Sequence, residues 1–475
     1  MLKIAKIRPS SALLRAALLL LLVPVAAFVG WAAAHQFWLV VGAVVFVPLY
    51  LLWPVEMSLG VFALLVPFEA VAMAGSSEST SLTWVAGAVA GAGLLTVGIV
   101  DRRFEKPPRT ARWWLLFAAL ATASVLWAYS PERTLSVLPT FAALMVLYLV
   151  AVCIRISDRE LAWVSTMAIA GAVLASFLTT TGFFSGMTYK TLARATIAQQ
   201  DRQADPNYYA AGLLLALSLA VGRTISGRRI SMRLIMGGCA AVIAAAVLLT
   251  MSRGALLGMT VMMLVYAVRY RLNWKLLAPI ALLASGLFLV PEQFYQRLTV
   301  AASGGGAGRL DIWTAGFHAL LHYGLYGAGF GNFSSVYTLF AGYAPKFMGY
   351  GLDAHNMYLA TGVELGIAGL LIMGIAFYTQ LREARPPQDR WISNRLQTVP
   401  AEAAMWAALT TSTFLNPILR KSLWLTLIMV ALSVKSRDAQ EPDFDQNIVS
   451  EPEGGFAKTE PPITSAALAV GLRRR

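Results

Sequence analysis

Long apolar runs recur along this chain, and they constrain its fold more than any other feature. Runs of about 18 or more apolar residues, each long enough for a helix to cross a bilayer, recur between Ala16 and Val434. Charged residues make up only 13% of the chain, whereas soluble proteins carry about 25%. We therefore predict an all-α polytopic membrane protein with about 12 to 14 transmembrane helices.

The positions of the basic residues predict how the chain is oriented. Its net charge of +14 would suit nucleic acid, but the lysines and arginines fall mainly in short loops between apolar runs. In such loops they set orientation and meet anionic lipid headgroups. We therefore expect membrane lipids and no nucleic acid as partners. The basic loops place the N-terminus and the C-terminus in the cytoplasm.

One polar, aromatic-rich stretch, Ser303 to Gly366, interrupts the apolar pattern. It is too rich in glycine and polar groups to lie in lipid, and too aromatic to be a solvated linker. It predicts a partly helical domain outside the membrane, before the last long span. The chain then divides into an N-terminal bundle (1–180), a central bundle (181–291), a loop domain (292–356), C-terminal helices (357–435) and a disordered cytoplasmic tail (436–475).

Several arginines fall on the predicted non-cytoplasmic side of the membrane, where positive charge is disfavoured. The segment 181–206 contains Arg194, the turn after residue 250 contains Arg253, and Arg309 follows a glycine-rich run. A guanidinium with its five fixed donors suits a phosphate or diphosphate at the lipid surface. Two other interpretations stay open: Arg253 instead reaches to lipid headgroups, and the glycine run before Arg309 is only a hinge.

The loop domain ends at His355, beside Asp353 and Asn356. Imidazole can take a proton from a hydroxyl near neutral pH, although a capping or packing histidine is the simpler interpretation. His318 and His322 share a helical face, but no third ligand is evident, so we expect no metal or cofactor and favour packing. Glu364, inside the last long span, is either functional or paired with an arginine.

Two short patterns resemble bacterial O-antigen ligases. His355 followed after ten residues by Gly366 is similar to their histidine–glycine signature, and Arg253 followed after three residues by Leu257 is similar to their basic-residue–leucine signature. The segment from Arg309 to Trp313, then Gly327 to Gly331 and His355-Asn356, resembles the wider superfamily of ligases and polymerases. The resemblance covers roughly residues 190 to 380.

The resemblance implies a metal-independent, inverting glycosyltransferase of the GT-C type in the bacterial inner membrane. It would move a glycan from undecaprenyl diphosphate to the lipid A-core of lipopolysaccharide on the periplasmic side. His355, Arg253 and Arg309 would be catalytic, and Arg194, Asn356 and Gly366 would bind substrate. The alternatives are a polymerase or a protein O-oligosaccharyltransferase of the same superfamily, and, in another class, a polysaccharide transporter or flippase.

Overall fold

A computed structural model describes residues 46, 48–71, 81–189, 194–199, 202–227, 229–270, 308–385 and 395–439. This part is helical apart from a short antiparallel pair, β1 (Ala198–Gln199) and β2 (Arg202–Gln203). The helices are α1 (Glu56–Phe68), α2 (Leu82–Val100), α3 (Arg109–Ala123), α4 (Pro131–Val152), α5 (Asp158–Phe184), α6 (Pro206–Ser226), α7 (Ile230–Leu249), α8 (Arg253–Tyr270), α9 (Arg309–Tyr323), α10 (Phe333–Phe340), α11 (Met357–Ala384), α12 (Arg395–Thr411) and α13 (Lys421–Ala439).

Six of these helices are long and apolar enough to cross a membrane: α2, α4, α5, α6, α7 and α11. The predicted class, an all-α polytopic membrane protein, is confirmed. The predicted first spans and the span near 276–291 fall mostly or wholly outside the described residues, so the total of about 12 to 14 stays a prediction.

Side-chain caps set helix ends that an apolar pattern alone does not locate. The Ser157 hydroxyl accepts the Glu160 amide, and the Glu160 carboxylate accepts the Ser157 amide, so α5 begins at Asp158. Ser130 caps α4, whose first residue is Pro131.

The helix ends lie in two layers, one at each end of the bundle. At one end, which we call the upper rim, the Trp127 indole donates to the carbonyl of Tyr326 (2.9 Å). At the other end, the lower rim, Arg103 pairs with Glu160 (2.7 Å) and Thr110 donates to Glu383 (2.8 Å). Arg253, at the start of α8, lies on the upper rim. Helices that alternate in direction therefore bring residues far apart in sequence to one layer.

Aromatic side chains fill the centre of the bundle. Trp424 of α13 lies 5.3 Å from Trp114 of α3, and Phe141 of α4 lies 5.0 Å from Phe330, between ring centroids. Burial of such large apolar surfaces stabilises the packing. Phe330 belongs to the glycine-rich loop after α9, so the upper-rim segment is anchored directly in the bundle core.

The residues from 308 to 356 form a second, smaller core against the start of α11. Its buried members are Ile312, Ala315, Ala319, Ala328, Phe333, Val336, Tyr337, Ala341, Ala354, Ala360 and Val363. A folded, partly helical segment was expected here from the aromatic content. Its predicted start at residue 292 lies outside the described residues. The predicted tail, 436–475, also lies outside them except for 436–439, which are helical and continue α13.

Candidate functional site

A tight turn presents Arg253 on the upper rim. Helix α7 ends at Leu249 and α8 begins at Arg253, so residues 250–252 reverse the chain. Met251 has a φ of +51°, which is uncommon for a residue other than glycine. The Ser252 hydroxyl accepts the Ala255 amide (3.4 Å) and caps α8. The exposed Arg253 side chain thus begins at a helix N-terminus, an end that favours anions.

Arg309 begins α9 and lies beside Arg253. Burial lowers the pKa of the Arg309 guanidinium, and the positive charge of Arg253 lowers it further, whereas Asp205 and Tyr208 act in the opposite direction. Effects of this kind require groups that lie close together. Arginine remains protonated at neutral pH even so. Two cationic side chains from different helices therefore lie close enough for the charge of Arg253 to act on Arg309.

Phe414, in the turn after α12, contacts both arginine-bearing segments. The Arg309 guanidinium carbon lies 6.0 Å from the centre of the Phe414 ring. A Cβ placed on Gly254 would lie 3.2 Å from the Phe414 Cβ, so the ring also packs against the backbone that carries Arg253. The turn between α12 and α13 is thereby part of the site.

A further arginine, Arg420, enters the site from the same turn. Its guanidinium carbon lies 4.5 Å from the centre of the Tyr208 ring, in cation–π contact. The Tyr208 hydroxyl accepts the Asn416 amide (3.2 Å). Arg420 is exposed. We call Arg253, Arg309, Arg420 and the two rings, Tyr208 and Phe414, the arginine cluster.

His355 adjoins the arginine cluster through Trp313. The Trp313 indole donates to the carbonyl of Ala354 (2.9 Å), and its ring centre lies 6.3 Å from that of Phe414. His355 has a φ of +46°, a strained conformation for a residue other than glycine. Within the described residues its Nδ1 atom is buried and has no hydrogen-bond partner. A buried imidazole nitrogen without a protein partner is suited to a substrate hydrogen bond.

Arg194 is buried beneath the turn that carries Arg253. Its Nε donates to the Thr250 carbonyl (2.8 Å), and a terminal nitrogen donates to the side-chain oxygen of Asn207 (2.8 Å). These bonds join the segment before β1, the turn after α7 and the start of α6. Both of these donors are directed at protein oxygens, so Arg194 holds the three segments together.

Asn356 and Gly366, the other predicted substrate-binding residues, occupy different surroundings. The Asn356 side-chain oxygen accepts the Leu359 amide (3.0 Å) and caps α11. Gly366 lies roughly 14 Å further along that helix, with φ +65° and ψ −166°. A Cβ on Gly366 would lie 2.6 Å from the carbonyl oxygen of Leu325. The break at Gly366 lets the loop after α9 dock against α11, away from the arginine cluster.

Glu364 fixes the same loop. One carboxylate oxygen accepts the Phe333 amide (3.2 Å), and the Glu364 carbonyl accepts the Gly329 amide (2.8 Å). The two histidines of α9 pack against rings: His318 stacks on Tyr343 with centroids 4.4 Å apart, and His322 lies 5.7 Å from Phe340. Among the described residues no group of three His, Cys, Asp or Glu side chains is placed to hold a metal.

Comparison with known proteins gives one family. Residues 238–374 match the family model described as O-antigen ligase. The match includes Arg253, Arg309, His355 and Gly366, whereas Tyr208, Phe414 and Arg420 lie outside it. No curated protein matches the chain.

Proposed function

We propose that this protein transfers a glycan from undecaprenyl diphosphate to lipid A-core, because residues 238–374 match the O-antigen ligase family model. The upper rim then faces the periplasm, both termini face the cytoplasm, and the membrane is the bacterial inner membrane. The observation that carries the proposal is that Phe414 contacts both arginine-bearing segments and lies beside Trp313, which holds the residue before His355. This arrangement matches a reaction whose leaving group is a diphosphate.

The arginine cluster would stabilise the departing diphosphate. As the bond between the anomeric carbon and the diphosphate oxygen breaks, its electron pair stays on that oxygen and negative charge builds up. Arg253 and Arg309 supply two fixed positive charges at this point, and Arg420 supplies a third at the edge of the site. Arg194 acts through Arg253, because it holds the turn that presents Arg253.

His355 would accept the proton of the acceptor hydroxyl. The hydroxyl oxygen attacks the anomeric carbon from the face opposite the diphosphate and forms the new glycosidic bond, so the configuration inverts. The proton passes to the imidazole, whose base catalysis contributes about 10² to 10⁴ in rate. Among the described residues no protein group bonds to the buried Nδ1 atom, so this ring nitrogen is available for the proton.

An apolar groove supports the proposal that the donor carries a polyprenyl chain. The groove has a volume of about 380 Å³ and lies between α2 and α4. Its lining is apolar except at a few positions and includes Phe62, Trp84, Leu95, Leu144 and Leu147, with Lys421 among the polar members. Lys421 pairs with Glu69 (2.9 Å) and follows Arg420 in sequence. A chain lying in this groove would therefore have its diphosphate end near the arginine cluster.

An in vitro transfer assay tests the proposal. Purified full-length protein is mixed with glycan-linked undecaprenyl diphosphate and lipid A-core, with a chelator present throughout. We expect glycan on lipid A-core, released undecaprenyl diphosphate, and an inverted linkage by NMR. The matched arm replaces lipid A-core with a second lipid-linked repeat, which is the polymerase acceptor.

The two acceptor arms and two further assays separate the remaining functions. Elongated lipid-linked glycan with no product on lipid A-core would replace the ligase with a polymerase. In a third assay, product on a pilin-like acceptor alone would indicate a protein glycosyltransferase. In a fourth, translocation of the donor in proteoliposomes without any transfer would exclude all three transferases and indicate a transporter.

A further inference from the structure

Four arginines converge on one cavity at the lower rim, at the end of the bundle opposite the arginine cluster. The cavity has a volume of about 330 Å³ and lies between the start of α3 and the end of α11. It is lined by Arg109, Arg112, Tyr378, Thr379, Arg382, Glu383 and Arg385. Four positive charges thus face one carboxylate, and that carboxylate accepts the Thr110 hydroxyl (2.8 Å).

These guanidinium groups are not satisfied within the bundle. All four arginines are exposed, and within the described residues none of them forms a salt bridge. Arg112 lies over the Trp113 ring, 5.4 Å from its centre. Helix α3 also begins here without a side-chain cap. The positive end of its dipole adds to the attraction for an anion.

The cavity continues into a lipid-facing apolar strip on each helix. On α11 the positions 371, 375, 378, 382 and 385 follow helical spacing, so exposed Leu371 and Ile375 lie on the same face as Arg382 and Arg385. On α3, exposed Leu116 lies one turn beyond Arg112 on the same face. The two helices therefore combine a cationic head region with apolar surface at membrane depth.

We propose that this cavity binds the phosphate headgroup of an anionic glycerophospholipid from the surrounding leaflet. The arginines and the α3 N-terminus hold the phosphate, and the acyl chains lie along Leu116, Leu371 and Ile375. Bound in this way, the lipid would bridge α3 and α11. Because α11 begins just after His355, the lipid would also steady the helix that presents the transfer site.

Lipid selectivity measured by native mass spectrometry tests this proposal. Full-length protein is equilibrated with equal amounts of phosphatidylglycerol and phosphatidylcholine. We expect wild type to retain phosphatidylglycerol preferentially. Each arginine near a membrane surface contributes about fivefold in binding, so R112Q/R382Q should lose on the order of 25-fold in selectivity. The control R159Q/R229Q removes the same charge from exposed positions outside the cavity and should keep the selectivity.

Other outcomes would overturn the proposal. Equal retention of both lipids by wild type would exclude a lipid site, and an equal loss in both double variants would indicate diffuse attraction. Complete displacement of phosphatidylglycerol by millimolar inorganic phosphate would assign the cavity to a soluble anion. R112K/R382K keeps the charges, so it should retain most of the selectivity and provides a folded comparison if the glutamine variant is unstable.

Discussion

The Trp313 indole donates a 2.9 Å hydrogen bond to the carbonyl oxygen of Ala354. Trp313 lies one turn after Arg309 on α9, and Ala354 immediately precedes His355. This bond therefore fixes the helix that begins with a proposed anion-binding residue to the segment that carries the proposed base. Displacements of about 1 Å cost enzymes roughly 10²-fold in rate, so the bond matters for transfer as well as for folding.

Removal of the guanidinium group of Arg253 or of Arg309 should strongly lower the rate of transfer. Arg253→Ala and Arg309→Ala are each expected to reduce the turnover rate by on the order of 10²-fold, because each removes a charge that stabilises the leaving group. Single-turnover assays with saturating donor measure this effect. Arg159→Ala, at an exposed lower-rim position, is the matched control and should retain wild-type activity. Near-normal turnover in a cluster variant would remove that arginine from the mechanism.

A substitution at position 355 must tolerate the positive φ angle of the His355 backbone. Asparagine tolerates positive φ better than most residues, so His355→Asn keeps the +46° conformation while it removes the imidazole. We expect transfer to fall by about 10²-fold or more and the thermal midpoint to stay close to that of wild type. Because hydroxide can partly replace a missing base, the loss should become smaller as the pH rises, and a loss of the same size at every pH would show that His355 is not the base.

Gly366 and Gly374, both in α11, allow two glycine-to-alanine substitutions in one helix to be compared. A Cβ on Gly366 would approach the Leu325 carbonyl to 2.6 Å at a φ of +65°, whereas a Cβ on Gly374 has no atom within 4 Å. Gly366→Ala should destabilise the protein by about 1 to 3 kcal/mol or more. Gly374→Ala should be neutral or slightly stabilising. Thermal unfolding in detergent measures both, and equal midpoints would contradict a structural need for glycine at position 366.

Glu105 should make the thermal stability of the protein depend measurably on pH. Burial alone would raise the pKa of Glu105, but the hydrogen bond from Arg155 and the charge of Lys435 outweigh it and lower the pKa below 4.5. A lowered folded-state pKa contributes stability above about pH 4.5 that is lost as the pH falls through the lower value. The difference in thermal midpoint between wild type and Glu105→Gln should therefore shrink in acid. Arg155→Gln should weaken the same dependence.

The sequence predicted the membrane class. Arg253 and Arg309 stood out because the predicted topology put them where positive charge is disfavoured, and in the structure Phe414 contacts both of the segments that carry them. Periodicity could not place helix ends, which depend on caps such as that of Ser157 on α5. It also could not show that Gly366 interrupts α11, because only the approach of the Leu325 carbonyl requires the break.

Arg420, Tyr208 and Phe414 were not identified as site residues. No local pattern in the sequence marks any of the three. Their contribution depends on a turn roughly 90 residues after the end of α9 that folds back beside α6 and α8. For Glu364, the expected choice was between a functional group and an arginine partner. The structure instead directs its carboxylate to the Phe333 amide.

Arg253 and Arg309 come from separate helices, and the charge of Arg253 disfavours the charged form of Arg309, which Asp205 relieves only in part. A bound dianion would replace this repulsion with two attractions, so occupancy and folding stability become linked. The protein should be most resistant to heat when the proposed donor is bound, and release of the proposed lipid diphosphate product, rather than the transfer step, would then limit how fast the next cycle begins.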